Sequence, residues 1–201
     1  LLSNGPPTHS LPSTHLTTMF FGRIRRFLSL AYTPRYLLYT NMFTSTTLLA
    51  TADVLQQSIN TEKHPTIDWQ QAGRMGSIGI VYGPMSHYWY KFLESRMWRG
   101  THLAIVGKKI FWDTLATPLF SAVVILGLGL LEGLTPVAAI KEYFRKLWYI
   151  LALDLSLWPP AQFFNFFFLP PYLRVLYCNF VTLAYNCGLS YIKHCHTLGI
   201  E

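Results

Sequence analysis

The chain has 201 residues, with 16 Lys and Arg against 9 Asp and Glu for a net charge of +7. Charged residues make up only 12% and apolar ones 51%, and the mean hydropathy is +0.28. Soluble domains carry about 25% charge. This chain has too little to solvate a globular surface and too much hydrophobicity for disorder. The balance argues against a soluble enzyme, a secreted disulfide module and a coiled coil, and for an integral membrane protein. The basic excess fits loops that obey the positive-inside rule; no stretch of clustered Lys and Arg with interleaved aromatics marks a nucleic-acid surface. Three cysteines (Cys178, Cys187, Cys195) form no C-x-x-C pair, and their odd number leaves at least one unpaired within the chain.

The N-terminal segment reads as an address. No acidic residue precedes Asp53, while Arg23, Arg25, Arg26 and Arg35 stand among many Ser and Thr. An acid-free, Arg-bearing start of this kind resembles a mitochondrial targeting segment. Residues 1–18, rich in Ser, Thr, Pro and His, suggest that Met19 opens the natural protein. Three regions are expected: a flexible basic segment over 1–35, a membrane helix bundle over 36–193 and a short tail over 194–201.

Four uncharged stretches follow, between Arg35 and Asp53, Arg74 and Lys91, Asp113 and Glu132, and Arg174 and Lys193. Each is slightly shorter than the ~20 apolar residues that cross the hydrocarbon layer. That is the pattern of packed bundle helices rather than isolated anchors. A fifth uncharged stretch, Leu155 to Leu173, holds Pro159, Pro160, Pro170 and Pro171. Proline removes a donor and clashes with the preceding turn, so a helix over about Lys141 to Trp158 is expected to break into an aromatic connector before a last helix from about Tyr172. The fold class is therefore all-α, an integral membrane bundle of four transmembrane helices with a Pro-broken aromatic connector before the last. Loop charge puts both termini and the second loop (Arg96, Arg99, Lys108, Lys109) in the more negative compartment, although Lys141, Arg145 and Lys146 pull the other way.

Polar residues inside the spans carry the most information. Asn41, Ser45, Asp53, Gln56, Gln57 and Asn60 largely follow helical spacing and give the first helix a polar stripe. A carboxylate within a span costs about 2.5–3.5 kcal/mol on insertion scales. Asp53, Asp113 and Asp154 therefore need partners or water, with Arg74, His87 and Arg174 as candidates. Either Asp53 pairs internally and holds the bundle together, or its stripe faces an aqueous pore. Gly79 and Gly83, like Gly129 and Gly133, are four apart, a spacing that lets helix backbones approach closely. His194, Cys195 and His196 are too close in sequence to converge on one ion. No P-loop, dinucleotide fingerprint, G-x-S-x-G or H-E-x-x-H is present, so no catalytic constellation, metal site or cofactor is expected.

Several segments together resemble the Mpv-seventeen family, which includes the twenty-two-kilodalton peroxisomal membrane protein. They are Ala52-Asp53 with Gln57; Gly83-Pro84-x-x-His87-x-Trp89-Tyr90-x-x-Leu93; Asp113 with Pro118, then Leu131-Glu132-Gly133; and Trp158-Pro159-x-x-Gln162-x-x-Asn165-Phe166, followed by Pro170, Pro171 and Arg174. Each is weak alone; the ordered set covers most of the chain. Gly127-Leu128-Gly129-x-Leu131, Ala161-Gln162-Phe163 and Leu189-Ser190-Tyr191-x-Lys193 are most similar to the second Mpv-seventeen-like branch. Ala52, Thr114, Leu155 and Tyr185 depart from the residues usual at their positions.

The resemblance implies a non-enzymatic four-span protein of the mitochondrial inner membrane, or in some members the peroxisomal membrane. For the second-like branch it implies a role in mitochondrial ribosome assembly and translation; for other members, a non-selective small-solute channel linked to mitochondrial DNA maintenance. The partners to expect are the lipid bilayer, the large subunit of the mitochondrial ribosome and a second copy of the chain, with no direct DNA binding. As architecture, Gly83-Pro84 is expected to kink a helix, and Trp89 and Tyr90 to sit at headgroup level. Pro159 is expected to end a helix whose freed carbonyls Gln162 and Asn165 satisfy.

Overall fold

The computed structural model describes residues 29–59, 66–96 and 98–184. The expectations about Met19, the Arg cluster before Arg35, Asn60, and residues 185–201 lie outside them. The chain divides into two compact units, 1–37 and 38–201. In the first, Thr33 Oγ1 donates to the Leu30 carbonyl (2.7 Å) and the Arg35 guanidinium lies 5.6 Å from the Tyr36 ring centroid.

All regular elements among the described residues are helical: α1 (Leu37–Ile59), α2 (Trp69–Ser95), α3 (His102–Leu131), α4 (Pro136–Phe168), a 3-10 turn (Pro171–Leu173) and α5 over 174–184. One of these helices, α3, is long and apolar enough by itself to cross a membrane. Its outer surface carries Leu103, Phe111, Leu115 and Leu119, each at least 60% exposed, and Phe43, Trp69 and Trp148 add exposed apolar area on the other helices. Apolar side chains exposed in this number suit contact with lipid, in keeping with a membrane protein. The helices' own hydroxyls are satisfied locally: Thr44, Thr47, Thr51 and Ser58 on α1, Ser77 on α2 and Thr182 on α5 each donate to the carbonyl four residues back. This neutralises a polar group without a partner helix.

Local chemistry sets the helix ends. Asp68 caps α2 by accepting from the Gln70 and Gln71 backbone N–H groups, Thr101 caps α3, and Thr135 caps α4 with Pro136 in its first turn. The α3 stop is a Schellman motif: Leu134 N–H donates to the Gly129 carbonyl and Gly133 N–H to the Leu130 carbonyl, with Gly133 at φ +90°. The two glycines of that pair thus differ in role. Gly129 packs against Ala139 across the turn, whereas Gly133, expected to pack helices, supplies the left-handed stop and has open space around it.

Two seams define the bundle direction. At one end Gln57 of α1 clamps the Asp68 backbone, accepting from its N–H (2.6 Å) and donating to its carbonyl (3.2 Å), while Gln71 reaches Glu132 at the end of α3 (3.2 Å). At the other end Glu94 of α2 meets Lys109 of α3 and Arg174 at the start of α5. The helices therefore run alternately between two polar ends, and α5 returns alongside α1, where Asn179 donates to Ser45 (2.9 Å).

This corrects the expected connector. Residues 155–168 are not broken: α4 runs unbroken through Pro159 and Pro160 for 33 residues, about 50 Å at helical rise. The carbonyls that lose their usual donors belong to Leu155 and Ser156, and the flanking turns hold the helix through this point. The break comes at Leu169-Pro170, after which the 3-10 turn leads into α5. From the second-loop end α5 runs toward the first-loop end as far as residue 184; the C-terminal tail, on which the loop-charge expectation bears, lies outside the described residues. Pro84 likewise lies inside the unbroken α2.

Gly79 and Gly83 explain why α1 and α2 touch. A Cβ on Gly79 would lie 2.5 Å from Thr46 Cα, and one on Gly83 would lie 2.7 Å from Met42 Cα. Backbone atoms cannot rotate away, so only hydrogen fits. Gly83→Val should lower the thermal stability of the detergent-purified protein by about 3 kcal/mol, the upper part of the overpacking range. Gly73→Ala, where nothing lies within 4 Å, should change it little. Equal melting of the two variants would refute the close approach.

Candidate functional site: a polar junction beneath an interior cavity

Gln162 of α4 stands where four helices meet. Its Nε2 donates to Asp113 Oδ2 of α3 (2.6 Å) and to the Tyr90 hydroxyl of α2 (2.7 Å), and its Oε1 accepts from Asn165 Nδ2 (2.7 Å). Trp89 Nε1 donates to the other Asp113 oxygen at 2.8 Å. Tyr90 and Cys178 of α5 share a hydrogen bond of 2.9 Å, and Asn165 Nδ2 also approaches the Cys178 sulfur at 3.4 Å. Tyr90, Gln162, Asn165 and Cys178 are buried. In a low-dielectric interior such a network is stable only when nearly every member is paired; here the Asn165 Oδ1 alone among these groups is buried without a partner.

Above this junction lies a cavity of about 340 Å³. Its apolar walls include Leu49, Tyr82, Phe120 and Val124, and its polar groups include Ser86, Asp113, Asp154 and Gln162. A second cavity of about 260 Å³ lies between α3 and α4, around Pro118. Its rim carries Phe111, Leu115 and Leu155, all well exposed, so it opens to the side of the bundle. Thr117, Asp154 and Trp158 line both cavities. The Trp158 Nε1 donates to Asp154 Oδ1 at 3.2 Å.

The polar residues expected to line a pore or to pair within the bundle are thus distributed over three places. Asp53, Gln57 and Arg74 stand at the α1–α2 end, where Gln57 donates to Asp53 (2.6 Å) and Arg74 Nη1 lies 3.4 Å from Gln71 Oε1. His87 contacts Asn41 at 3.0 Å in the α1–α2 seam. Only Asp113 and Asp154 reach the cavity. Over Asn41 and Ser45 the first-helix stripe is buried against neighbouring helices, where Gly79 and Gly83 bring α2 close. Arg174, a candidate partner for a span carboxylate, goes to Glu94 instead. Trp89 and Tyr90 turn inward to the junction rather than out to the headgroups. Gln162 and Asn165 serve the same junction and not the carbonyls before Pro159. Among the remaining motif residues, Pro118 offers its carbonyl to Tyr143 (2.8 Å) and Ser121, Pro170 accepts from Leu173 N–H, and Glu132 and Gly133 close α3.

The Glu94 cluster was not legible from spacing. Lys109 Nζ and Arg174 Nη1 both reach Glu94 Oε2, at 2.6 and 2.5 Å, and both cations are buried while Glu94 is half-exposed. Arg174 Cζ and Lys109 Nζ lie over the Phe166 ring, 5.2 and 5.9 Å from its centroid. Burial works to raise the Glu94 pKa, but the hydrogen bonds and charges of Lys109 and Arg174 outweigh it and hold the carboxyl below its ordinary value.

The Mpv17 / PMP22 family matches over residues 129–190. PXMP2/4 family protein 2 of Dictyostelium discoideum is 30% identical over 78% of this chain and 84% of its own length. Mitochondrial inner membrane protein Mpv17 of Drosophila melanogaster is 36% identical over 63% and 79%, and Protein sym1 of Aspergillus oryzae is 30% identical over 77% and 89%. The chain belongs to the Mpv17 / PMP22 family. It is accordingly a mitochondrial membrane protein of that family, as the initial resemblance implied. No solved structure matches.

Two substitutions test the polar groups. Gln162→Leu strips one donor from Asp113 and the acceptor from Asn165, and should cost about 3 kcal/mol in detergent, the sum of a charge-assisted bond and an orphaned amide. A cost within experimental error would show that the junction is not structural. For Glu94, a depressed folded pKa contributes stability that is present above the unfolded value and lost as pH falls through the folded one. Wild-type stability should thus fall below about pH 4.5, the ordinary Glu value. Glu94→Gln should remove that acid limb and lower stability at neutral pH by about 3 kcal/mol, the low end for breaking a buried pair. An unchanged acid limb in the variant would exclude Glu94 as its source.

Proposed function

We propose that the chain is a multi-pass protein of the mitochondrial inner membrane whose bundle admits a small solute into the cavity above the Gln162 junction. In this reading α1, α2, α3 and α4 run between the two polar ends of the bundle, and α5 packs beside α1 over its described residues. The carrying observation is the cavity itself: apolar walls, a few convergent polar groups and an adjoining side opening are the usual anatomy of a small-molecule site. The reading requires no chemical step on the solute, and the protein is taken as non-enzymatic. It locates a channel of the kind the family resemblance implies at Asp113 and Asp154, away from the first-helix stripe.

One observation favours a second role. Lys91, Arg96, Arg99 and Lys108 are exposed around the Glu94 end of the bundle. A basic face of that kind, turned to the matrix by the positive-inside rule, suits contact with the large subunit of the mitochondrial ribosome during assembly and translation. It uses the end of the bundle and leaves the cavity free.

Reconstitution into planar bilayers tests the first role. The wild type should pass current, and Ser121→Trp, which fills the cavity, should reduce it at least several-fold with no change in assembly; the absence of wild-type current would refute the solute path. Gradient sedimentation of mild-detergent mitochondrial lysate tests the second. Co-migration with large-subunit fractions is expected, and complete separation from them would count against that role.

A further inference from the structure

We propose that the cavity binds a small organic cation, an ammonium group carried on a compact apolar body, and that this ligand enters from the side between α3 and α4. The inference deepens the cavity reading above by naming its ligand class, and it depends on the bundle but not on conduction. The charge balance of the cavity comes first. Asp113 and Asp154 both line it, and no Lys, Arg or His does among the described residues. The buried cations among the described residues, Lys109 and Arg174, are taken by Glu94 at the far side of the junction. Asp113 has neutral donors on both oxygens, from Trp89 and Gln162, which fix its position without cancelling its charge. Asp154 has one hydrogen bond among the described residues, from Trp158, and that bond is long at 3.2 Å. A carboxylate so weakly compensated in a membrane bundle calls for a cation or water.

The walls select the rest of the ligand. Tyr82, Phe120 and Trp158 present aromatic surface around the same space. Aromatic faces attract a cation within about 6 Å and attract ammonium groups in particular when these are desolvated. A cavity of about 340 Å³ suits an apolar body of one ring or a short chain. Entry follows from the shared wall. Thr117, Asp154 and Trp158 separate the interior cavity from the lateral one, and the lateral rim is made of side chains that face outward, Phe111 and Leu115 among them. Rotation of the Asp154–Trp158 pair joins the two spaces. An ammonium arriving from the bilayer would thus meet Asp154 first and Asp113 second.

The test uses the full chain in nanodiscs and three probes of one shape and different charge: 2-phenylethylammonium, 2-phenylethanol and 3-phenylpropionate. Tryptophan fluorescence reports binding. The ammonium should bind saturably and at least 10-fold more tightly than the alcohol or the carboxylate. Asp154→Asn should abolish that preference, bringing the ammonium's affinity to within about 3-fold of the alcohol's in the same variant, and Asp53→Asn, at the remote end, should keep it. Equal binding of ammonium and alcohol by the wild type would overturn the proposal, whether or not the Asp154 variant folds. So would an undiminished preference in a folded Asp154→Asn protein. A wild type that passes current without charge preference would lose the ligand class and keep the solute path. Charge-selective binding without current would support the ligand class alone.

Discussion

A single amide ties the bundle together. Gln162 gives its two amide hydrogens to helices α2 and α3 and its carbonyl oxygen to the next turn of its own helix, which in turn touches α5 through Cys178. In water such a contact would contribute little, since each group would exchange one partner for another. In lipid the alternative to pairing is an unsatisfied polar group, so the junction dictates which faces of four helices must meet. The glycine contact between α1 and α2 complements it by a different physics. There, van der Waals fit between bare backbones replaces hydrogen bonding, and it draws the polar half of α1 into the seam.

The ends of the molecule follow another rule. Gln57 and Asp68 close the turn between α1 and α2 by hydrogen bonds to backbone, while Glu94, Lys109 and Arg174 close the opposite end by charge. Placing the ion cluster beyond the uncharged part of α2 keeps its half-exposed carboxylate near water, where desolvation costs least. The two buried cations are then compensated by one carboxylate, the Phe166 face and the Leu169 carbonyl, which lies 3.5 Å from Arg174 Nη2.

Uncharged stretches and glycine spacing were enough to read α1, α2 and α3, because both signals are local. The Gly79–Gly83 pair announces a close helix contact whatever the partner. By contrast, Pro159-Pro160 misleads, since a proline breaks a helix only where the carbonyls it frees have no tolerable place. Here they belong to Leu155, which lines the lateral cavity, and to Ser156, and the helix runs on through both prolines. Trp89 and Tyr90 mislead for a related reason: amphipathic rings suit headgroups, but a buried carboxylate one helix away is a stronger claim on the Trp89 N–H. Glu94, Lys109 and Arg174 are 15 and 80 residues apart in pairs, and no periodicity links them. Of the site, Asp113 and Asp154 stand out as carboxylates near the spans and Gln162 and Asn165 as residues of the resembling motif, but which of them share a cavity is a tertiary fact.

The distribution of charge gives the interior its character. Once Lys109 and Arg174 are committed to Glu94, the two carboxylates of the cavity have only neutral donors to rely on among the described residues. Neutral donors stabilise an anion locally and leave its field intact at a distance, and that field is weakly screened inside a bundle. Asp113, with both oxygens engaged, is held in place by the junction on which the fold depends. Asp154, with a single long bond to Trp158, is held loosely, and it sits in the wall between the interior cavity and the lipid. The carboxylate with the fewest donors among the described residues is therefore the one that the two cavities share.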